Sequence, residues 1–249
     1  MLKSVRIIEK LLHSCILTLL FSPFLYSSFT LASSAYRVDS IGYDISYPQC
    51  NKDYPDFPAF AIIGINGGKP FTDNPCFEHQ AHWSKQNYAP LSVYQNLSYI
   101  SLRSADYIVF GPNLCSPFDE ACMAYNFGYQ AAKYAAEKVN QAHINPRNWW
   151  LDIETMNIWS PDTQLNKAVI QGAIDYHTEQ NHALGIYSTS YQWKTIAGEF
   201  KPGLPVWVAG ATDRLKAPAK CTDANAFTGG KVVMVQYVKD DFDHNYLCA

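Results

Sequence analysis

The sequence predicts an α/β domain whose sheet rolls into a closed barrel with a degenerate second half. Apolar strand-like runs alternate with helix-like ones, the pattern of parallel strands covered by helices. An open doubly wound sheet would bring a phosphate-binding glycine fingerprint, and none is found. The nearest approach, "GINGGKP" at 64–70, is one residue short before its lysine and has Pro70 where Ser or Thr is required, so it reads as a glycine turn leaving a strand. After Pro202 the helical runs stop and strands dominate.

Taken in order, the strand candidates are "IGYDIS" (41–46), "AFAIIGIN" (59–66), "LSVYQNL" (91–97), "NWWLDIE" (148–154), "LGIYST" (184–189), "PVWVAG" (205–210) and "KVVMVQY" (231–237). Several are β-branched or aromatic and bounded by Gly, Pro or Asn. Helices are expected at 76–88, 118–142 and 161–183, with a short one from Tyr191 to Ala197. The second is rich in alanine, with acids near its start and lysines further on, as the helix dipole favours. The third opens with Pro161 and Asp162 and carries an apolar stripe at Leu165, Val169, Ile170, Ala173 and Ile174.

The first 35 residues read as a cleaved secretory leader. Lys3, Arg6 and Lys10 precede an apolar stretch, and Ser33 and Ala35 supply small residues before Tyr36. An uncleaved anchor is the competing reading, weakened by His13 and Pro23 inside the stretch. The remainder, 36–249, suits one domain with a sizeable core. Removing the leader takes the net charge from −3 to −5 and leaves no basic run, which argues against nucleic acid and anionic membranes as partners. Cys15 leaves with the leader, and Cys50, Cys76, Cys115, Cys122, Cys221 and Cys248 remain. An even number behind a secretion signal argues for disulfides in an oxidising compartment, and no C-x-x-C suggests zinc instead. Of fifteen formal connectivities the topology favours Cys50–Cys76, Cys115–Cys122 and Cys221–Cys248.

One strand breaks the apolar pattern. "NWWLDIET" (148–155) holds Asp152 and Glu154 in an otherwise apolar run, where an unpaired charge would cost several kcal/mol. Alternation puts both acids on one face and Leu151 and Ile153 on the other. In a parallel barrel the acids then face inward at the carboxyl end of the strand, where such barrels place their chemistry, and Thr155, Asn157 and Ser160 lead out into a polar loop. Two carboxyl groups held together away from water push their pKa values apart, leaving one protonated and one ionised, as glycosidic cleavage requires. Their Cα atoms stand roughly 6.5–7 Å apart, between the carboxyl separations of retaining and inverting enzymes, so spacing alone does not give the stereochemistry.

With "GYDIS", "WLDIET", "LGIYST", "PVWVAG" and the terminal "DFDHNYL" in that order over roughly residues 40–247, the chain resembles glycoside hydrolase family 25, secreted lysozyme-type muramidases. The resemblance implies a TIM-like α/β barrel of five β/α units followed by three strands. It implies Glu154 as the general acid and Asp152 as its partner, acting as nucleophile or holding the substrate N-acetyl group for attack. Asp44 and Asp243 match two further acids of that site. The implied substrate is the β-1,4 bond of peptidoglycan, with no metal or cofactor, a monomeric protein and a secreted location.

Aromatic and amide groups at strand ends are candidates for sugar contact, since rings cover the apolar faces of sugars while polar groups bind hydroxyls. These are Tyr187, Tyr191 and Tyr237, Trp159 in the loop after the acids, Gln95 and Asn66. Trp149 shares parity with Leu151 and belongs to the core, whereas Trp150 shares the acids' parity and should fill the barrel below them. The chain departs from the family at "SYPQC", "VYQNL" and "VWVAGAT", and its insert 99–117 would form a lid pinned by Cys115–Cys122. These departures leave open a glycan-binding barrel without catalysis and a hydrolase of another amino-sugar polymer. No G-x-S-x-G or H-E-x-x-H occurs, His79 and His82 alone make no metal site, and Asn96-Leu97-Ser98 is a glycosylation sequon in a eukaryotic secretory host.

Overall fold

The computed structural model describes residues 37–99 and 111–248; the leader and the middle of the 99–117 insert lie outside the described residues. Eight strands form the sheet: β1 (Ile41–Ile45), β2 (Ala61–Gly64), β3 (Leu91–Asn96), β4 (Trp149–Asp152), β5 (Leu184–Ser188), β6 (Val206–Ala211), β7 (Val232–Lys239) and β8 (Phe242–Leu247). They close in chain order into one barrel. Pairing is parallel from β1 through β7, and β8 runs antiparallel to both β7 and β1. Closure leaves no exposed strand edge. The β7–β8 hairpin turns on Asp240 and Asp241, with φ of 51° and 63°. A two-residue turn with both residues left-handed matches the strand twist, and Asp tolerates that conformation.

Four α-helices cover the described sheet: α1 (Phe77–Gln86), α2 (Glu120–Gln141), α3 (Thr163–Glu179) and α4 (Ser190–Ala197). β1 is followed by a 3-10 turn at Tyr47–Gln49, held by Pro48 and ended by Cys50. Two further prolines, Pro55 and Pro58, discourage a helix before β2. α2, α3 and α4 start where side chains accept orphan amides: Asp119 from Cys122, Asp162 from Gln164 and Thr189 from Gln192. α2 and α3 cross in backbone contact, because a Cβ at Gly128 would lie 1.8 Å from the Val169 carbonyl oxygen and one at Gly172 2.0 Å from that of Tyr125.

Parity along β4 organises two apolar layers. Trp149 and Leu151, with Ile153 beyond the strand, pack outward among Val93, Ile186, Ala135, Ile170 and Ile174. Trp150 points inward and meets Phe60, Ile62, Tyr187, Trp207 and Met234 in the barrel interior. The Trp150 ring needs Gly185 opposite it, where a Cβ would approach to 2.2 Å. All three expected disulfides are present. Cys50–Cys76 ties the turn after β1 to the start of α1, Cys115–Cys122 holds the loop before α2, and Cys221–Cys248 fastens the β6–β7 connection to the residue after β8. No described helix is long and apolar enough to cross a membrane.

Candidate active site

Above the apolar floor the inward positions turn polar. Asp44 of β1, Asp152 at the end of β4 and Asp243 of β8 share the inner face, and Glu154 follows two residues after Asp152. Asp44 and Asp243 are direct partners in the β1–β8 ladder. This inner face reaches the carboxyl ends of the parallel strands, the end where barrel enzymes assemble their sites.

Each acid is held differently. Asp44 is buried and accepts from Asn245 Nδ2 at 2.6 Å and from Gln236 Nε2 at 3.1 and 3.2 Å to its two oxygens. Asp152, also buried, accepts at Oδ2 from Asn96 Nδ2, while its Oδ1 has no partner among the described residues. Glu154 is partly exposed and accepts at Oε1 from Gln192 Nε2 at 3.4 Å. The oxygen of the same Gln192 accepts from the Thr155 amide at 2.6 Å and its hydroxyl at 3.0 Å. Because a backbone N–H can only donate, Gln192 must turn its NH₂ toward Glu154.

The donors are neutral amides throughout, and none of the described ion pairs involves these acids. Burial is the largest influence on all four and raises each above the ordinary carboxylate range. Mutual repulsion adds to it. Asp243 and then Glu154 push Asp44 up, Glu154 and Asp44 push Asp152 up, and Glu154 pushes Asp243 up. The bond from Gln192 works against burial at Glu154. Carboxyl groups that disfavour one another's ionisation hold their protons to higher pH than ordinary carboxylates, as a general acid must.

The other expected contacts divide. Tyr187 lies inside the barrel and donates to Gln236 Oε1 at 2.7 Å, beneath the acids. Asn66 grips Asn96, donating to its carbonyl at 3.0 Å and accepting from its amide at 3.2 Å. Trp159 donates from Nε1 to the Glu154 carbonyl at 2.8 Å, bracing the loop that carries the acid. Tyr191 opens α4 and is 77% exposed.

Gln95 is a correction. It pairs with outward-facing Leu151, and its buried amide has no partner among the described residues, whereas Asn96 pairs with Asp152 and faces the acids. Tyr237 also stands away from the acids. It packs in the outer layer and stacks on His244 with ring centroids 5.1 Å apart, while neighbouring Gln236 faces in. Asn96, Gln192, Gln236 and Asn245, the amides that donate to the acids, were not among the residues expected from the sequence. Asn245 was legible, since it lies two residues past Asp243 and shares its face.

A family model described as "Lysozyme-like protein 1" matches residues 119–235, a stretch that takes in Asp152 and Glu154. The curated "Lysozyme-like protein 5" of Caenorhabditis elegans is 33% identical over 66 residues, which is 26% of this chain and 30% of that protein's length. Among solved structures, the muramidase of Acremonium alcalophilum superposes with a TM-score of 0.54 at 18% identity, covering 86% of this chain and 94% of the other. A family GH25 lysozyme of Aspergillus fumigatus gives 0.51 at 17% identity over 84% and 94%. The modular Cpl-1 endolysin, solved with a peptidoglycan analogue, gives 0.57 at 15% identity over 85% of this chain and 55% of that one. The chain thus has the fold of the family 25 lysozymes, and over residues 119–235 it is lysozyme-like in sequence as well.

Proposed function

We propose that the protein is an extracellular glycoside hydrolase that cuts β-1,4 bonds of peptidoglycan. The observation that carries this reading is the meeting of Asp44, Asp152, Glu154 and Asp243 at one barrel mouth, with burial raising all four and repulsion adding to it at Asp44, Asp152 and Asp243. Glu154, the partly exposed member beside Asp152, is placed to give its proton to the leaving glycosidic oxygen. Asp152 faces the developing positive charge on the sugar, either bonding to the anomeric carbon or holding the N-acetyl group that does so. Asp44 and Asp243 border the mouth, and their repulsion helps to hold the acids beside them above the ordinary carboxylate range. The muramidases among its structural neighbours support peptidoglycan as the polymer, and the three disulfides fit an oxidising location.

The test is release of reducing ends from purified peptidoglycan, chitin and plain glucans by wild type and Glu154→Gln. Cleavage of peptidoglycan by wild type alone is expected. Retention of glycan with no soluble fragments would mark a binding barrel, and cleavage confined to chitin would move the substrate to another amino-sugar polymer.

A further inference from the structure

Asn96 enters the sequence reading only through a glycosylation sequon, yet it makes the one hydrogen bond to the Asp152 carboxyl group among the described residues. It ends β3 in direct register with Asp152 on β4 and donates from Nδ2 to Asp152 Oδ2. Its backbone is gripped on both sides, N–H and C=O, by the side chain of Asn66. The donor is therefore fixed in place before any substrate arrives.

The hydroxyl oxygen of a protonated carboxyl group is a poorer acceptor than its carbonyl oxygen, so the bond from Asn96 favours the carbonyl form at Oδ2. A proton that Asp152 carries is thereby steered to Oδ1, the buried oxygen left without a partner among the described residues. Asn96 Nδ2 is also the atom a secretory host would glycosylate in the Asn96-Leu97-Ser98 sequon. One nitrogen cannot both lie against Asp152 inside the mouth and carry a branched glycan out of it.

We propose that Asn96 is a positioning residue for Asp152: its amide holds Oδ2, leaves Oδ1 as the oxygen that takes up the proton, and is thereby withdrawn from glycosylation. The role of Asp152 in cleavage rests on the function proposed above, but the positioning itself is measurable without activity.

Titration of the Asp152 carboxyl carbon by NMR, assigned with Asp152→Asn, tests it in wild type and in Asn96→Leu, with Asn96→Ala as the smaller variant should leucine not fit. Loss of a donor to the charged form moves the Asp152 midpoint to higher pH. Against peptidoglycan the same variants should lose roughly 10- to 100-fold in kcat, with KM changed far less and the pH profile displaced in the same direction. Ser98→Ala, which removes the sequon and spares Asn96, should match wild type in every readout. The intact mass of folded protein from a glycosylating host should show Asn96 bare.

An Asp152 midpoint unchanged in both Asn96 variants, or a glycan on Asn96 of the folded protein, overturns the proposal. A wild type that cuts no glycan overturns the proposed function instead, and the titration still decides the position of Asn96.

Discussion

Two clusters of buried, like-charged titratable groups stand at opposite ends of β4. At its carboxyl end Asp152 meets Glu154, Asp44 and Asp243. At its amino end Trp149 stacks on His182, with centroids 4.5 Å apart and planes 7° apart, and His182 Nδ1 lies 2.8 Å from Nδ1 of fully buried His177. Burial, then His182, pushes His177 down to about 3. Both clusters are driven toward neutrality, the acids by keeping protons and the imidazoles by refusing them. The difference is place. The histidines stack on outward-facing Trp149 at the amino end of β4, whereas the acids share the inner face at its carboxyl end. A perturbed pKa alone therefore does not locate function, and its position on the barrel does.

The largest effect expected to break this comparison is on catalysis. Glu154→Gln should lower the rate of reducing-end release by on the order of 10²–10⁴ with an unchanged circular dichroism spectrum, whereas substitution at His177 should leave the rate of folded protein intact. Next, Trp149→Ala should cost about 3–5 kcal/mol in urea unfolding, the usual figure for a buried aromatic. A cost below about 1 kcal/mol would deny that the histidine end is core.

The third prediction concerns acid. The unfolded chain binds a proton at His177 near pH 6.5, and the folded chain refuses it until about pH 3, so stability from this group falls as the pH drops through that window. By pH 4 the loss approaches about 3 kcal/mol at 1.36 kcal/mol per unit, and His177→Gln should flatten the slope. The carboxylates run the other way. Their folded pKa values are raised, so stability is fully present below the ordinary carboxylate range and is lost as the pH rises through the raised values. Asp44→Asn should then stabilise the protein at pH 7 by about 1 kcal/mol, some 2–4 °C in Tm. A fall in Tm would show the Gln236 and Asn245 bonds to matter more than repulsion.

Much of this was readable beforehand. The alternation in "WWLDIE" separated the two Trp side chains and placed the acids, because period-two parity is a local property. The disulfide pairs followed from which loops the barrel brings together. The exchange of Gln95 for Asn96 shows where local reading stops. Nothing in "VYQNL" says which amide faces in until β3 is set against β4, and that register is a long-range fact. Tyr237 and Gln236 differ by the same single step.

The seam between β1 and β8 joins residues some two hundred positions apart, and Asp44 and Asp243 face each other across it. Half of the acidic quartet consequently comes into being only when β8 docks beside β1. Until that seam closes, Asp152 and Glu154 stand without their two companions, so any turnover at the site would also report that the ring is shut.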